Sequence, residues 1–374
     1  MRNRIVLALL FLLPALSFAG ASSQTSTHPS QQAIIDVAFC LDTTGSMSGL
    51  LEGAKAKIWS IVNTVATAKP RPVLRIALIG YRDLQDAYVT RDFDFTQDLE
   101  TMYTHLREYR ADGGGDTPEH VNQALYEAVH KLSWSKNPAA LKIVYLVGDA
   151  PPHMDYQDGY DYRKISKAAA ASGIIINTIQ CGAIAGTQQV WQEIARIAEG
   201  KYAAIDQSGG VAFIHSPYDS ELARLSGELN KTYVAYGGRG RTNLVTQRDH
   251  DVAAAMEPSA AAERAATKAS PLYKNESWDL VDAVREDSGK LDKIATSDLP
   301  AELRNLPREK QEAYLEKKQQ DRIQIQQKIQ ELTKKRDAYV ESEKKKSGTG
   351  KDAFDSQVLS TLKEQGKDKG ITFE

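Results

Sequence analysis

Asp42-Thr43-Thr44-Gly45-Ser46-Met47 follows directly on the apolar run Ile34-Ile35-Asp36-Val37-Ala38-Phe39-Cys40-Leu41. Buried strands usually give way to Gly, Asn or Pro. This one ends in a carboxylate, with hydroxyls two and four residues further on. Oxygen donors gathered at one strand end are what a hard divalent cation such as Mg²⁺ requires. Two more segments carry the same chemistry. Gly113-Gly114-Gly115-Asp116-Thr117-Pro118-Glu119 places Thr117 on a glycine-rich loop entering a helical pattern. Lys142-Ile143-Val144-Tyr145-Leu146-Val147-Gly148-Asp149 is a second apolar strand ending in a carboxylate. Singly, Asp42, Ser46 and Thr117 read as helix caps, a common role for such residues. Together they read as a metal site.

Around these segments strands and helices alternate. Residues 49–68 carry helical spacing (Leu50, Leu51, Ala54, Ile58, Ile61, Val62, Val65), 73–81 form a strand, and 89–95 alternate like an edge strand. Helices are expected over 99–109 and over 118–132, the latter with Pro118 in its first turn. Helix 164–172, strand 174–181, helix 188–198, strand 201–205 and helix 221–233 complete the series. Near-continuous apolar strands alternating with helices mean an α/β fold, its mostly parallel sheet covered on both faces. Ligands of such sheets bind outside the carboxyl ends of the strands, where Asp42 and Asp149 stand.

In these three segments, and in their order, the chain resembles the von Willebrand factor type A domain family and its metal-ion-dependent adhesion site. The family motif is D-x-S-x-S, a loop Thr and a strand-end Asp. Asp42, Thr44 and Ser46 match the first part, Thr117 the second and Asp149 the third. Thr44 stands where the family more often has Ser and keeps the hydroxyl. The resemblance spans residues 34–237 and implies a doubly wound, six-stranded sheet. It implies further that the hydroxyls bind Mg²⁺ (or Mn²⁺ or Ca²⁺) directly, and the carboxylates directly or through water. One coordination position is left for an acidic side chain of a protein partner. The family's sheet order puts the Asp149 strand between those of Cys40 and Cys181. Two strand spacings, roughly 10 Å, exceed disulfide reach, so both cysteines are expected as buried thiols. Integrin members couple metal-ligand changes to movement of the last helix, here residues 221–233.

The 374 residues, 41% hydrophobic and 26% charged with a net charge of −2, give no reason to expect nucleic acid as a partner. Met1-Arg2-Asn3-Arg4 is basic, residues 5–18 are apolar, and Ser17-Phe18-Ala19-Gly20-Ala21 supplies small residues. This is the pattern of an export signal, expected to be cleaved after Ala19 or Ala21, leaving a periplasmic or secreted chain with no transmembrane segment.

Two further clusters face the same rim. In residues 151–161, His153 and Asp155 either shape a partner surface or add a second metal, or else the carboxylates of that loop make turns and helix caps; the loop-and-cap reading is preferred. Arg82 either orients an incoming carboxylate or pairs with Asp83 or Asp112.

Beyond residue 237 the texture changes. Gly237-Gly238-Arg239-Gly240-Arg241 reads as a flexible hinge opening a linker over 238–269, whose polar, alanine-rich residues 243–268 read as weakly helical, and Trp278 as an aromatic anchor docking on the first domain. A helical, coiled-coil-like extension is expected over 270–346. Its seam of Leu315, Ile325, Ile329, Leu332 and Tyr339 is interrupted by Lys318, Arg322 and Arg336, which fits a helix lying on another surface, with weak self-association. Residues 347–374 read as a flexible tail.

The functional expectation is an exported, non-enzymatic module that captures a partner's acidic residue through the cation. One alternative is a structural envelope protein that acts through its C-terminal helices and carries a vestigial metal site. The other is a metal-dependent hydrolase using Asp42, His153 and Asp149. Against the hydrolase, the chain has no H-E-x-x-H and no G-x-S-x-G.

Overall fold

The computed structural model describes residues 32–347, apart from 116 and 212, and residues 353–373. The export signal expected at 1–21 lies outside these residues.

The first strand, β1 (Ile34–Asp42), runs parallel between two neighbours and leads into helix α1 (Ser48–Ala66). After the two-residue strand β2 (Ala68–Lys69) come β3 (Val73–Tyr81), the edge strand β4 (Thr90–Thr96), α2 (Leu99–Glu108) and α3 (Val121–His130). Then follow β5 (Leu141–Gly148), α4 (Tyr162–Ala171), β6 (Ile174–Cys181), α5 (Thr187–Ile197), β7 (Tyr202–Ile205) and α6 (Asp219–Asn230). The sheet order is β4-β3-β1-β5-β6-β7, with β4 alone antiparallel. Successive residues of β1 feed opposite faces, as a period of two demands. Ile35, Val37, Phe39 and Leu41 enter the core under α1 and α2, whereas Ala38 and Cys40 enter the one under α3, α4 and α5. Both faces are therefore apolar and both are covered. Cys40 and Cys181 are buried free thiols with β5 between their strands.

Helix α3 starts later than expected. Pro118 precedes it, in a cis peptide with Thr117, and the helix opens where His120 Nδ1 accepts from the Gln123 N–H at 3.4 Å.

The segment expected as a linker is two packed helices, α7 (Gly237–Ala254) and α8 (Pro258–Lys268). Alanines 260, 262 and 265 are buried, which lets α8 approach α1 and α6 closely. Its Arg264 and Lys268 meet Asp251 of α7 at 2.5 and 2.7 Å. Gly237 and the residues after it open α7 instead of forming a hinge. Trp278 is buried in the main core against Tyr233, as an anchor should be. Helix α9 (Leu280–Glu286) and the one-turn helices α10 (Lys290–Lys293) and α11 (Ala301–Arg304) lead to the 40-residue α12 (Arg308–Ser347).

Helix α12 lies along α6, α8 and α9. Leu315 and Ile329 are buried there, and two of the seam cations find carboxylates on the body. Arg322 reaches Asp279 at 2.6 Å and Asp282 at 2.9 Å, and Arg336 reaches Asp219 at 2.8 Å. The interruptions of the seam are thus what fastens this helix down.

The expected tail is also overturned. Helix α13 (Phe354–Lys367) carries Phe354, Val358 and Leu362 at helical spacing into the main core, and β8 (Thr372–Phe373) pairs antiparallel with β2. Asn177 and Gln365 exchange two hydrogen bonds of 3.0 and 2.8 Å, and Tyr145 donates to the Val358 carbonyl at 2.9 Å.

Candidate metal centre

Asp42 is the last residue of β1, and Asp149 follows the last residue of β5, its sheet neighbour. Gly148 is what lets these strand ends close up. A Cβ there would stand 2.2 Å from Tyr81 Oη and 3.1 Å from Asp42 Oδ2. Asp42 Oδ1 accepts from the Thr44 N–H at 2.8 Å and from the Thr44 hydroxyl at 2.6 Å. Thr44 Oγ1 in turn lies 3.2 Å from Ser46 Oγ. The D-x-T-x-S turn is thereby folded onto its own aspartate.

Asp149 is held from behind by α5, whose Thr187 hydroxyl donates to the Asp149 carbonyl at 3.0 Å. In front, Gln207 Nε2 donates to Asp149 Oδ2 at 2.7 Å and to the Ser46 carbonyl at 3.4 Å, so one side-chain amide joins the two motif segments. Nothing in the sequence singles out Gln207; only the loop after β7 brings it here.

The glycine-rich loop is pinned to the same turn. Gly45 N–H donates to the Gly113 carbonyl at 3.2 Å and Asp112 N–H to the Thr43 carbonyl at 3.1 Å. Gly113 and Gly114 have φ of +74° and +75°, a conformation that favours glycine, and a Cβ on Gly114 would lie 2.9 Å from Thr44 Cβ. Arg82 forms no ion pair with Asp83 or Asp112 among the described residues. Its Nε donates to the Thr43 carbonyl at 3.1 Å and Nη2 to the Arg110 carbonyl at 2.8 Å, bracing the loops. Thr117 is exposed on the glycine-rich loop, and among the described residues its hydroxyl makes no hydrogen bond with Asp42, Thr44 or Ser46. Four of the five motif residues are therefore gathered, and the fifth stands at the edge.

The centre is anionic and short of compensation. Asp42 is fully buried and its Oδ2 has no hydrogen-bond partner. Burial pushes its carboxyl up to about 7, with the charge of Asp149 adding to the rise and the Thr44 donors opposing it. Glu119, also buried, is pushed up to about 9 by burial and by the charges of Asp42, Asp83, Asp86 and Asp149. Its Oε2 also lacks a partner. Such a set fits a hard dication: every donor is oxygen, and a buried carboxylate oxygen is left unpaired. Among the described residues no three His, Cys, Asp or Glu side chains converge closely enough to hold a metal by themselves. A cation here depends on the hydroxyls of Thr44 and Ser46 as well.

The loop at 151–161 behaves as turns and caps. His153 Nδ1 meets Asp155 Oδ1 at 2.8 Å, Tyr156 donates to Asp83 Oδ2 at 2.7 Å, and Asp161 caps α4 by accepting from the N–H groups of Arg163 and Lys164. His153 is thus engaged with Asp155 through Nδ1, and its Nε2 lies 3.6 Å from Asp83 Oδ2.

Comparison with known proteins agrees with this architecture. Residues 36–216 match the family model of the von Willebrand factor A domain. The putative ariadne-like RING finger protein R811 of Acanthamoeba polyphaga mimivirus is 34% identical over 122 residues, covering 33% of this chain and 12% of that protein. Hemicentin-2 of Mus musculus is 27% identical over 209 residues, covering 53% of this chain and 4% of that protein. The chain thus spans only a small part of either relative. Among solved structures, BatB from Bacteroides thetaiotaomicron has a TM-score of 0.35 at 18% identity, covering 46% of this chain and 90% of that one. Proximal thread matrix protein 1 from the mussel byssus, described with a zinc-occupied MIDAS motif, has a TM-score of 0.37 at 15% identity, covering 46% of this chain and 42% of that one. Residues 36–216 of this chain belong to the von Willebrand factor A domain family.

Proposed function

We propose that this chain is an exported protein-binding module that captures an acidic side chain of a partner protein through a divalent cation held by Asp42, Thr44, Ser46, Thr117 and Asp149. The observation that carries the reading is the buried, unpaired Oδ2 of Asp42, set among oxygen donors at the carboxyl edge of the sheet. An ionised oxygen in that position costs stability unless a positive charge meets it. Among the described residues Asp42 accepts from the Thr44 N–H and hydroxyl but Oδ2 meets no cationic side chain, the nearby Arg82 being turned to the Thr43 and Arg110 carbonyls, so the missing charge is assigned to an ion. When bound, the ion supplies an electropositive centre with a position for an incoming carboxylate.

The chain's own groups do the rest. Asp42 and Asp149 balance the charge, Thr44 and Ser46 add neutral donors, and Gln207 fixes the Asp149 carboxylate. Thr117, already on a loop pinned to this turn, has to turn inward to join them. Mg²⁺, Mn²⁺ and Ca²⁺ all suit an all-oxygen set. Export rests on the basic-apolar-small pattern of residues 1–21.

A pull-down from an envelope extract, with wild type and Asp42→Ala and with or without EDTA, tests the proposal. Capture that EDTA and Asp42→Ala both abolish is expected. Capture that survives both would sink the reading.

A further inference from the structure

Glu119 stands outside the five motif positions, yet its carboxyl group and Thr44 flank the same point beside Gly114. Oε1 is 3.6 Å from where a Cβ on Gly114 would sit, and Thr44 Cβ is 2.9 Å from that same point. Oε2 is buried and has no hydrogen-bond partner. The backbone holds the residue in place from both sides: its N–H donates to the Pro151 carbonyl at 3.0 Å, and its carbonyl accepts from the His153 N–H at 3.0 Å. Glu119 is thereby bridged to the segment that leaves Asp149.

A buried carboxylate with an unpaired oxygen, facing other carboxylates, stabilises nothing in the metal-free protein. Among the described residues nothing partners its Oε2, and a bound cation with its hydration water would do so. The carboxylates of this centre are nevertheless too far apart to ligate one ion as a trio. Mg²⁺-like ions keep several waters when bound. Outer partners that orient such first-layer ligands influence affinity strongly.

We infer that Glu119 is an additional, outer member of the cation site, accepting hydrogen bonds from the hydration water of the ion and adding a third negative charge that tightens its binding. The inference rests on the metal-site reading above and assigns Glu119 a positioning role within it.

The test is Mn²⁺ binding to the full chain, read from the free-ion electron paramagnetic resonance signal, with thermal melts in EDTA and in Mn²⁺. The proteins are wild type, Glu119→Gln, Glu119→Asp and Asp42→Ala. Glu119→Gln is expected to weaken Mn²⁺ binding on the order of tenfold without lowering the melting temperature in EDTA, since Oε2 has no hydrogen-bond partner to lose. Glu119→Asp, which keeps the charge, should bind more tightly than Glu119→Gln. Wild-type affinity in Glu119→Gln, with binding lost in Asp42→Ala, overturns this inference and leaves the metal site standing. A lower melting temperature in EDTA with unchanged affinity makes Glu119 a structural residue and also overturns it. Absence of binding to wild type overturns the metal-site reading itself.

Discussion

Arg264→Met removes one cation from the interior and leaves its partners behind. Arg264 is buried on α8. Its Nη2 donates to Glu100 Oε1 at 2.8 Å and to the Gln247 carbonyl at 3.0 Å, and its Nε donates to Asp251 Oδ1 at 2.5 Å. The guanidinium also lies 4.8 Å from the centre of the Trp59 ring. Glu100 belongs to α2 of the sheet domain and Asp251 to α7, so this one side chain ties the C-terminal helices to the body. Methionine fills much of the volume but provides no donor. Breaking a buried pair by removing one partner costs about 3–5 kcal/mol, because the other charge stays buried and uncompensated. His250 and Tyr273 still bond to Glu100, which places the expected loss near the lower end of that range. Urea denaturation at neutral pH, followed by tryptophan fluorescence and by circular dichroism, measures it. A single transition with a lowered midpoint is expected from both probes. A loss below about 1 kcal/mol, the size of an ordinary surface substitution, would refute the claim that α8 is bound to the domain through this residue.

The same network sets an acid limit. Burial works against the Glu100 carboxylate, but Arg264 and His250 outweigh it and bring the group down from 4.5 to about 2. Asp251 is likewise brought to about 2, against burial, by Lys268 and Arg264. Both folded values lie below the unfolded ones, so their stabilisation is present above about pH 4.5 and lost as pH falls toward 2. Urea midpoints of wild type should drop steeply over that window, and those of Arg264→Met less so; equal slopes would contradict the assignment. Gly148→Ala keeps every proposed ligand yet forces a Cβ to within 3.1 Å of Asp42 Oδ2, so the rise in melting temperature with Mg²⁺ that the proposed site predicts for wild type should be absent from the variant, whereas an equal rise would count against the close approach of the two strand ends. Truncation after Ser347 removes Phe354, Val358 and Leu362 from the main core, and at about 2–5 kcal/mol per large side chain lost the shortened chain should lack near-ultraviolet circular dichroism. A normally folded truncation would return these residues to the status of a loose tail.

What could be read beforehand follows from where the information resides. The ends of β3 and β6 agree with expectation because continuous apolar runs leave no ambiguity of period. Asp42 and Asp149 are conspicuous because a carboxylate at the end of such a run is a local anomaly. Glu119 and Gln207 are not: a lone glutamate or glutamine is ordinary in sequence, and only the bridge from Glu119 to Pro151 and His153, or the turn after β7, gives either a special place. The signal for Glu119 was present in the glycine-rich segment but had no local partner to give it meaning. Helices α7 and α8 are rich in Ala and Gly, so they carry little apolar periodicity, and their stability comes from Arg264 and Lys268 meeting carboxylates distant in sequence. Arg322 and Arg336 look like faults in a heptad seam until Asp279, Asp282 and Asp219 are placed opposite them. Helix α13 was legible only as a short 354-358-362 stripe, too brief to distinguish a docked helix from an unstructured end.

Isothermal titration of the full chain with Mg²⁺ and with Mn²⁺, beside Asp42→Ala, addresses the central claim most directly. One saturable site per chain that vanishes in the variant is the predicted result. No heat of binding to wild type with either ion, or an isotherm that Asp42→Ala leaves unchanged, would contradict it.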